Sequence, residues 1–119
     1  MSAFSNKIAF AVKRELVAAK QHENQGQYNM AFSHLENAHV LGQASTRWHV
    51  YVHYLMLVWG VKQKLPKECF GQIIRIVGAA TKTALGMVPT GNTGGSNVSP
   101  FKRLPIAPAL QAKIANANK

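Results

Sequence analysis

His49 and His53 stand one helical turn apart inside the most apolar stretch of the chain, Trp48-His-Val-Tyr-Val-His-Tyr-Leu-Met-Leu-Val-Trp59. An imidazole in a buried helix costs free energy unless it is neutral and hydrogen-bonded or bound to something. Upstream, His34-Leu-Glu36-Asn-Ala-His39 offers further imidazoles and a carboxylate. On a helix His49 and His53 are about 40° apart, with Met56 about 20° to the other side of His49. Glu36 and His39, three residues apart, share a face as in carboxylate-bridged di-metal bundles, whereas His34 points away from Glu36. The short connection from Gly42 to Thr46 predicts an antiparallel helical hairpin. Folding it about Ala44 brings His39 level with His49 and Glu36 near the level of His53. Together His39, His49, His53 and Glu36 make a suitable ligand set for a divalent transition metal, zinc or iron first. Copper ranks after these, because the one soft donor on the stripe is the Met56 thioether, and buried methionine usually packs.

Two other readings fit the same residues. Neutral histidines can hydrogen-bond one another, a backbone carbonyl or a loop and so hold a bundle in register. They can also serve an enzyme as general acid or base, although the glutamate of the HExxH motif is missing and no substrate is indicated.

Gly91-Asn-Thr-Gly-Gly-Ser-Asn97 could expose several backbone amides to an anion, but it lacks the strand, lysine and spacing of a phosphate-binding P-loop. Arg75, Lys82, Lys102 and Arg103 could add positive charge to such a site; otherwise each is a solvated cation. The uncharged segment from Val88 to Pro100, with Val88, Val98 and Phe101 as apolar anchors, is expected to lie ordered against the helices near the histidines. Asn92 and Asn97 would then orient an imidazole by accepting its other N–H. Gly94 or Gly95 is expected to need a positive φ. Cys69 is read as a small buried hydrophobe outside the site.

These residues need elements to hold them. Ile8, Val12, Leu16 and Ala19 recur at helical spacing over about 5–24, and Gly26 ends that helix. Ala31, Leu35 and Ala38 form the seam of a second helix over about 27–41, stopped by Gly42 as a left-handed cap. The hairpin resembles one tetratricopeptide unit, but no second copy follows at about 34 residues. A third helix starts after Ser45 and runs to about Lys64; being apolar all round, it is expected to be buried between neighbours. A fourth begins at Pro66, with Glu68 near the positive end of its dipole, Ile73, Ile74, Ile76 and Val77 as its buried face, and Gly86 as its stop. A short helix over 109–116 ends the chain. The expected fold is all-α: a bundle of four main helices with a long Gly/Asn-rich loop and a short C-terminal helix. It is one domain over 1–119, with the bundle at 1–86, the loop at 87–108 and the helix and tail at 109–119.

Fourteen Lys and Arg against four glutamates and no aspartate give a formal charge of +10. The basic residues are scattered, and no nucleic-acid motif accompanies them, so specific nucleic-acid binding is not expected. An acidic protein held by the basic surface of the hairpin is the non-enzymatic alternative to metal binding. The amino terminus has no secretory pattern, the single cysteine cannot form an internal disulfide, and the apolar stretch from Trp48 falls short of the roughly 20 residues of a membrane span. A cytoplasmic, non-membrane protein is expected. The segments His34-Leu-Glu-Asn-Ala-His-Val-Leu-Gly-Gln43, His49 with His53, and Gly91-Asn-Thr-Gly-Gly-Ser-Asn-Val-Ser99 together resemble a family of small bacterial proteins described as a domain of unknown function. The resemblance runs from about Ala31 to Pro108. It implies a free-standing, cytosolic helical protein connected with bacterial metal handling, and no ligand assignment follows from it.

Overall fold

Two helical hairpins packed side by side carry the site. The computed structural model describes residues 3–82, 90–99 and 102–119. Its helices are α1 (Ala3–Asn24), α2 (Tyr28–Gly42), α3 (Thr46–Lys62), α4 (Pro66–Lys82) and α5 (Pro108–Ala117), with no strand among the described residues. Helix α1 packs on α2 and α3 on α4, α2 and α3 join the two hairpins, and α5 closes over α1 and α2. None of these helices is long and apolar enough to cross a membrane. The expected stop at Gly86, the anchors Val88 and Phe101, and the Lys82 side chain lie outside the described residues.

The apolar seams predicted for α1 and α2 are the core: Ile8, Val12, Ala19, Leu35 and Ala38 pack with Leu41, Trp48, Val52, Met56 and Trp59. Burying each large side chain contributes about 1.5–3 kcal/mol. Met56 is fully enclosed within this apolar cluster. The histidine stripe of α3 lies one residue round from the Trp48–Val52–Met56 seam, so fixing that seam also aims the imidazoles. Trp48 sets the rotation: its indole N–H donates to the Ser5 carbonyl at 3.0 Å. The Ser45 hydroxyl caps α3 by accepting from the Trp48 amide at 3.4 Å.

Three expectations are corrected. Gly42 does not cap α2 in a left-handed conformation; the positive-φ glycines among the described residues are Gly26, Gly91 and Gly94. Gly42 is needed for close approach, because a Cβ there would come within 2.7 Å of the Trp48 Cβ. Helix α3 is not enclosed on all sides, since Tyr51, Tyr54 and Val61 are exposed. The largest correction concerns α4. Phe70, Ile73, Ile74 and Val77 face solvent, with exposures from 52% to 67%. Gln72 and Ala79 are buried instead, with Glu68 and Arg75 partly covered. These four recur at i, i+4, i+7 and i+11, so α4 turns a largely polar stripe toward the rest of the protein. Hydrogen bonds from that stripe to the loop and to a histidine explain the orientation.

Candidate metal centre

His39 on α2 and His49 and His53 on α3 come together in the interior, each offering one nitrogen within 4.8 Å of the others. Their ring centroids form a near-regular triangle: 4.8 Å for His39 to His49, 4.6 Å for His39 to His53 and 4.9 Å for His49 to His53. They are 2%, 7% and 2% exposed, respectively. Helix geometry accounts for the arrangement: the i, i+4 pair on α3 faces the last turn of α2 across a three-residue connection.

The outer hydrogen bonds determine which ring nitrogens carry protons. His39 Nδ1 lies 2.6 Å from the Asn92 carbonyl oxygen. A carbonyl only accepts, so Nδ1 donates and His39 Nε2 is bare in the neutral ring. His53 Nδ1 lies 2.6 Å from Gln72 Oε1. The amide of Gln72 cannot be reversed, because its Nε2 donates to Glu68 Oε2 at 2.6 Å and to the Gly94 carbonyl at 2.9 Å. His53 Nδ1 is therefore also a donor, and its Nε2 is bare. These two bare Nε2 atoms stand 3.0 Å apart. Two lone pairs at that distance repel unless a cation lies between them.

A proton is a poor candidate for that cation. Burial holds His39 well below the ordinary histidine range, and the neighbouring His53 and His49 push it further down. Burial lowers His49 to about 3, assisted by His53. Burial lowers His53 to about 4 against the opposing bond to Gln72, and the Arg75 charge adds to the depression. All three rings are neutral near pH 7, the form in which imidazole binds metal. Nitrogens held 2.0–2.1 Å from a tetrahedral zinc lie about 3.3 Å apart; the His39–His53 pair stands at 3.0 Å, and the three ligand nitrogens lie within 4.8 Å of one another.

The loop and α4 lock this arrangement from outside. The Glu68 carboxylate accepts from the Ser96 amide at 3.2 Å and from the Ser96 hydroxyl at 3.1 Å. Arg75 donates to the Gly71 and Val98 carbonyls at 3.1 and 2.7 Å. Asn92 fixes the loop rather than an imidazole with its side chain: Oδ1 accepts from the Gly94 amide at 2.9 Å, and Nδ2 donates to the Ser99 and Lys102 carbonyls at 2.7 and 2.8 Å. Over 90–99 the loop thus packs against the histidines and α4, as expected for that part; the ends of the expected Val88–Pro100 segment lie outside the described residues.

The residues singled out from sequence divide clearly. His39, His49 and His53 converge. Glu36 is outside the gathered set; its carboxyl hydrogen-bonds the Thr93 side chain, and burial raises its pKa, with repulsion from Glu68 adding to the rise. Asn92 does orient His39, but through its backbone carbonyl. Asn97 is exposed, with Oδ1 turned toward Gly95. His34 bonds Glu15 at 3.2 Å and stacks on His22 at 5.1 Å, so His22 is less free than a plain surface residue. Cys69 is half-buried beside Gly60. Gln72 was not anticipated. Its signal was the polar line Glu68, Gln72, Arg75, which the stronger apolar stripe of α4 concealed.

A family model described as "Protein of unknown function (DUF3703)" matches residues 6–114. The chain belongs to this family. The span matched to DUF3703 includes all three clustered histidines, Gln72 and the ordered loop. No curated protein and no solved structure matches the chain.

Proposed function

We propose that the protein binds one divalent transition-metal ion, zinc or ferrous iron foremost, through Nε2 of His39, Nε2 of His53 and an imidazole nitrogen of His49, and that it serves in metal handling. The observation that carries this reading is the pair of bare Nε2 atoms 3.0 Å apart, each bare because its ring's Nδ1–H is committed to a carbonyl oxygen. Hydrogen-bonded Nδ1 atoms are the usual support of metal-bound histidines, fixing tautomer and ring orientation. An all-nitrogen set suits zinc, iron, cobalt, nickel or copper(II) better than the hard ions magnesium and calcium. Met56 gives copper(I) no support, since it packs in the apolar core. The reading favours storage, sensing or transfer of the ion over hydrolysis.

Elemental analysis of protein purified without an affinity tag tests the proposal. Near one equivalent of metal is expected after incubation with zinc or ferrous iron and gel filtration. His49→Ala should lower the affinity at least tenfold, whereas His22→Ala, remote from the cluster, should not. Sub-stoichiometric metal that does not rise on adding zinc, iron, cobalt, nickel or copper, or equal losses in the two variants, would reject it.

A further inference from the structure

The apolar stripe that α4 turns to solvent has a counterpart on α3. Among the described helices α4 packs only on α3, along a seam where Gly60 faces Cys69 and His53 faces Gln72. These pairings run antiparallel, so helix phase sets Tyr54, Leu57 and Val61 on the same side of the seam as Ile73, Ile76 and Val77. The loop holds the other side, where Ser96 meets Gly71 and the Gly94 carbonyl accepts from Gln72. The α3–α4 hairpin therefore presents one continuous apolar face, directed away from the loop. Tyr54, Val61, Phe70, Ile73, Ile74 and Val77 are each 52–67% exposed. At about 200 Å² for a fully exposed large side chain these six present about 700 Å². The largest apolar patch on an ordinary monomer is roughly 300–600 Å².

We propose that this face is a homodimer interface, covered by the α3–α4 hairpin of a second copy of the chain. The area matches the occupant: a stable complex buries about 800 Å² on each partner, and the half-buried Leu57 and Ile76 extend the patch along the seam. Charge selects a second copy over other partners. At +10 the chain attracts acidic proteins and anionic membranes through its cations. On this hairpin those cations, Arg47, Lys64 and Lys67, lie at the two ends of the face. Between them α3 carries no Lys, Arg, Asp or Glu from Trp48 to Val61, and α4 turns Glu68 and Arg75 toward Ser96 and Val98 of the loop. A two-fold contact sets the same uncharged surface against itself, with the charge-poor, aromatic-containing composition of an interface core. Two helices from each copy then bury the stripe that a single copy leaves in water. The proposal is independent of the metal reading.

Sedimentation equilibrium of the full chain over about 1–200 µM tests it. The wild type should reach twice the chain mass of 13.0 kDa. The dimer should persist or tighten in about 0.5 M salt, which screens the repulsion between two cationic copies. Ile73→Lys/Val77→Lys places two charges per copy within the face and should raise the dissociation constant at least a hundredfold. Phe10→Lys, at a 71% exposed position on α1, should leave it unaltered. All three side chains are exposed, so the variants should keep the monomer fold, which circular dichroism checks. Should the double variant not fold, Tyr54→Lys on α3 carries the same expectation at tenfold or more, and the wild-type mass stands without either. A wild-type monomer at the highest concentration overturns the proposal, and its sedimentation with phosphatidylserine-containing vesicles would make an anionic membrane the occupant instead. Dissociation by salt, a dimer indifferent to the substitutions on α3 and α4, or one dissociated by Phe10→Lys also overturns it.

Discussion

Gly94 touches the centre most tightly, and replacing it by alanine tests whether the loop truly holds His39 in place. A Cβ at Gly94 would sit 2.6, 2.7 and 2.9 Å from Cδ2, Cγ and Nε2 of His39. The ring cannot retreat cheaply, because its Nδ1 is bonded to Asn92 and the His49 and His53 rings stand against it in T-shaped contact, with centroids 4.8 and 4.6 Å away. Gly26 provides an internal control: its φ of 75° resembles the 87° of Gly94, yet a Cβ there meets nothing within 4 Å. Gly26→Ala should therefore cost only the left-handed backbone penalty, about 1–2 kcal/mol. Gly94→Ala should cost that plus about 1–3 kcal/mol of overpacking. Urea unfolding of the metal-free variants measures the difference, valid where the m-values agree. Displacing His39 Nε2 should also weaken zinc at least tenfold, about 1.4 kcal/mol, only in the Gly94 variant. Equal stability losses together with unchanged zinc affinity would refute the idea that this loop buttresses the ligand.

Acid should destabilise the metal-free protein well above the range of ordinary carboxylates. The unfolded histidines bind protons near pH 6.5, whereas burial holds His53 at about 4 and His49 at about 3 in the fold. The unfolded state therefore carries more protons throughout that interval, and stability falls as pH drops from 6.5 toward those values, by up to about 1.4 kcal/mol per pH unit for each such histidine. Urea midpoints that stay flat from pH 7 to 5 would contradict this. Gln72→Leu should lower zinc affinity about 10–100-fold by freeing the His53 ring, and should destabilise the fold by about 1–3 kcal/mol because it strands buried partners. Competition with a chromophoric chelator and thermal unfolding check the two parts, and an unaltered zinc affinity would show that Gln72 does not orient His53.

The centre was legible where local periodicity decides position. The i, i+4 histidines of α3 and the short connection to α2 were enough to bring His39, His49 and His53 together, and seams such as Ile8–Val12–Ala19 identified the core. Tertiary context overruled the same logic on α4, where Ile73, Ile74 and Val77 are exposed because Gln72 and Glu68 are drawn inward to His53 and Ser96. Apolar spacing reveals that a helix has two faces, and only the partners reveal which face turns in. Glu36 matched the phase of His39 but found Thr93 instead. Asn92 was selected for its amide and serves through its carbonyl, a role any residue type can fill and so one without a sequence signature.

X-ray absorption at the metal edge of the zinc-loaded protein tests the central claim most directly, because it counts imidazole ligands and measures their distances. The account predicts three imidazole nitrogens at about 2.0–2.1 Å with one further light-atom ligand and no sulfur. A spectrum showing sulfur, fewer than three imidazoles, or a six-coordinate oxygen shell would place the ion elsewhere and contradict the assignment of His39, His49 and His53.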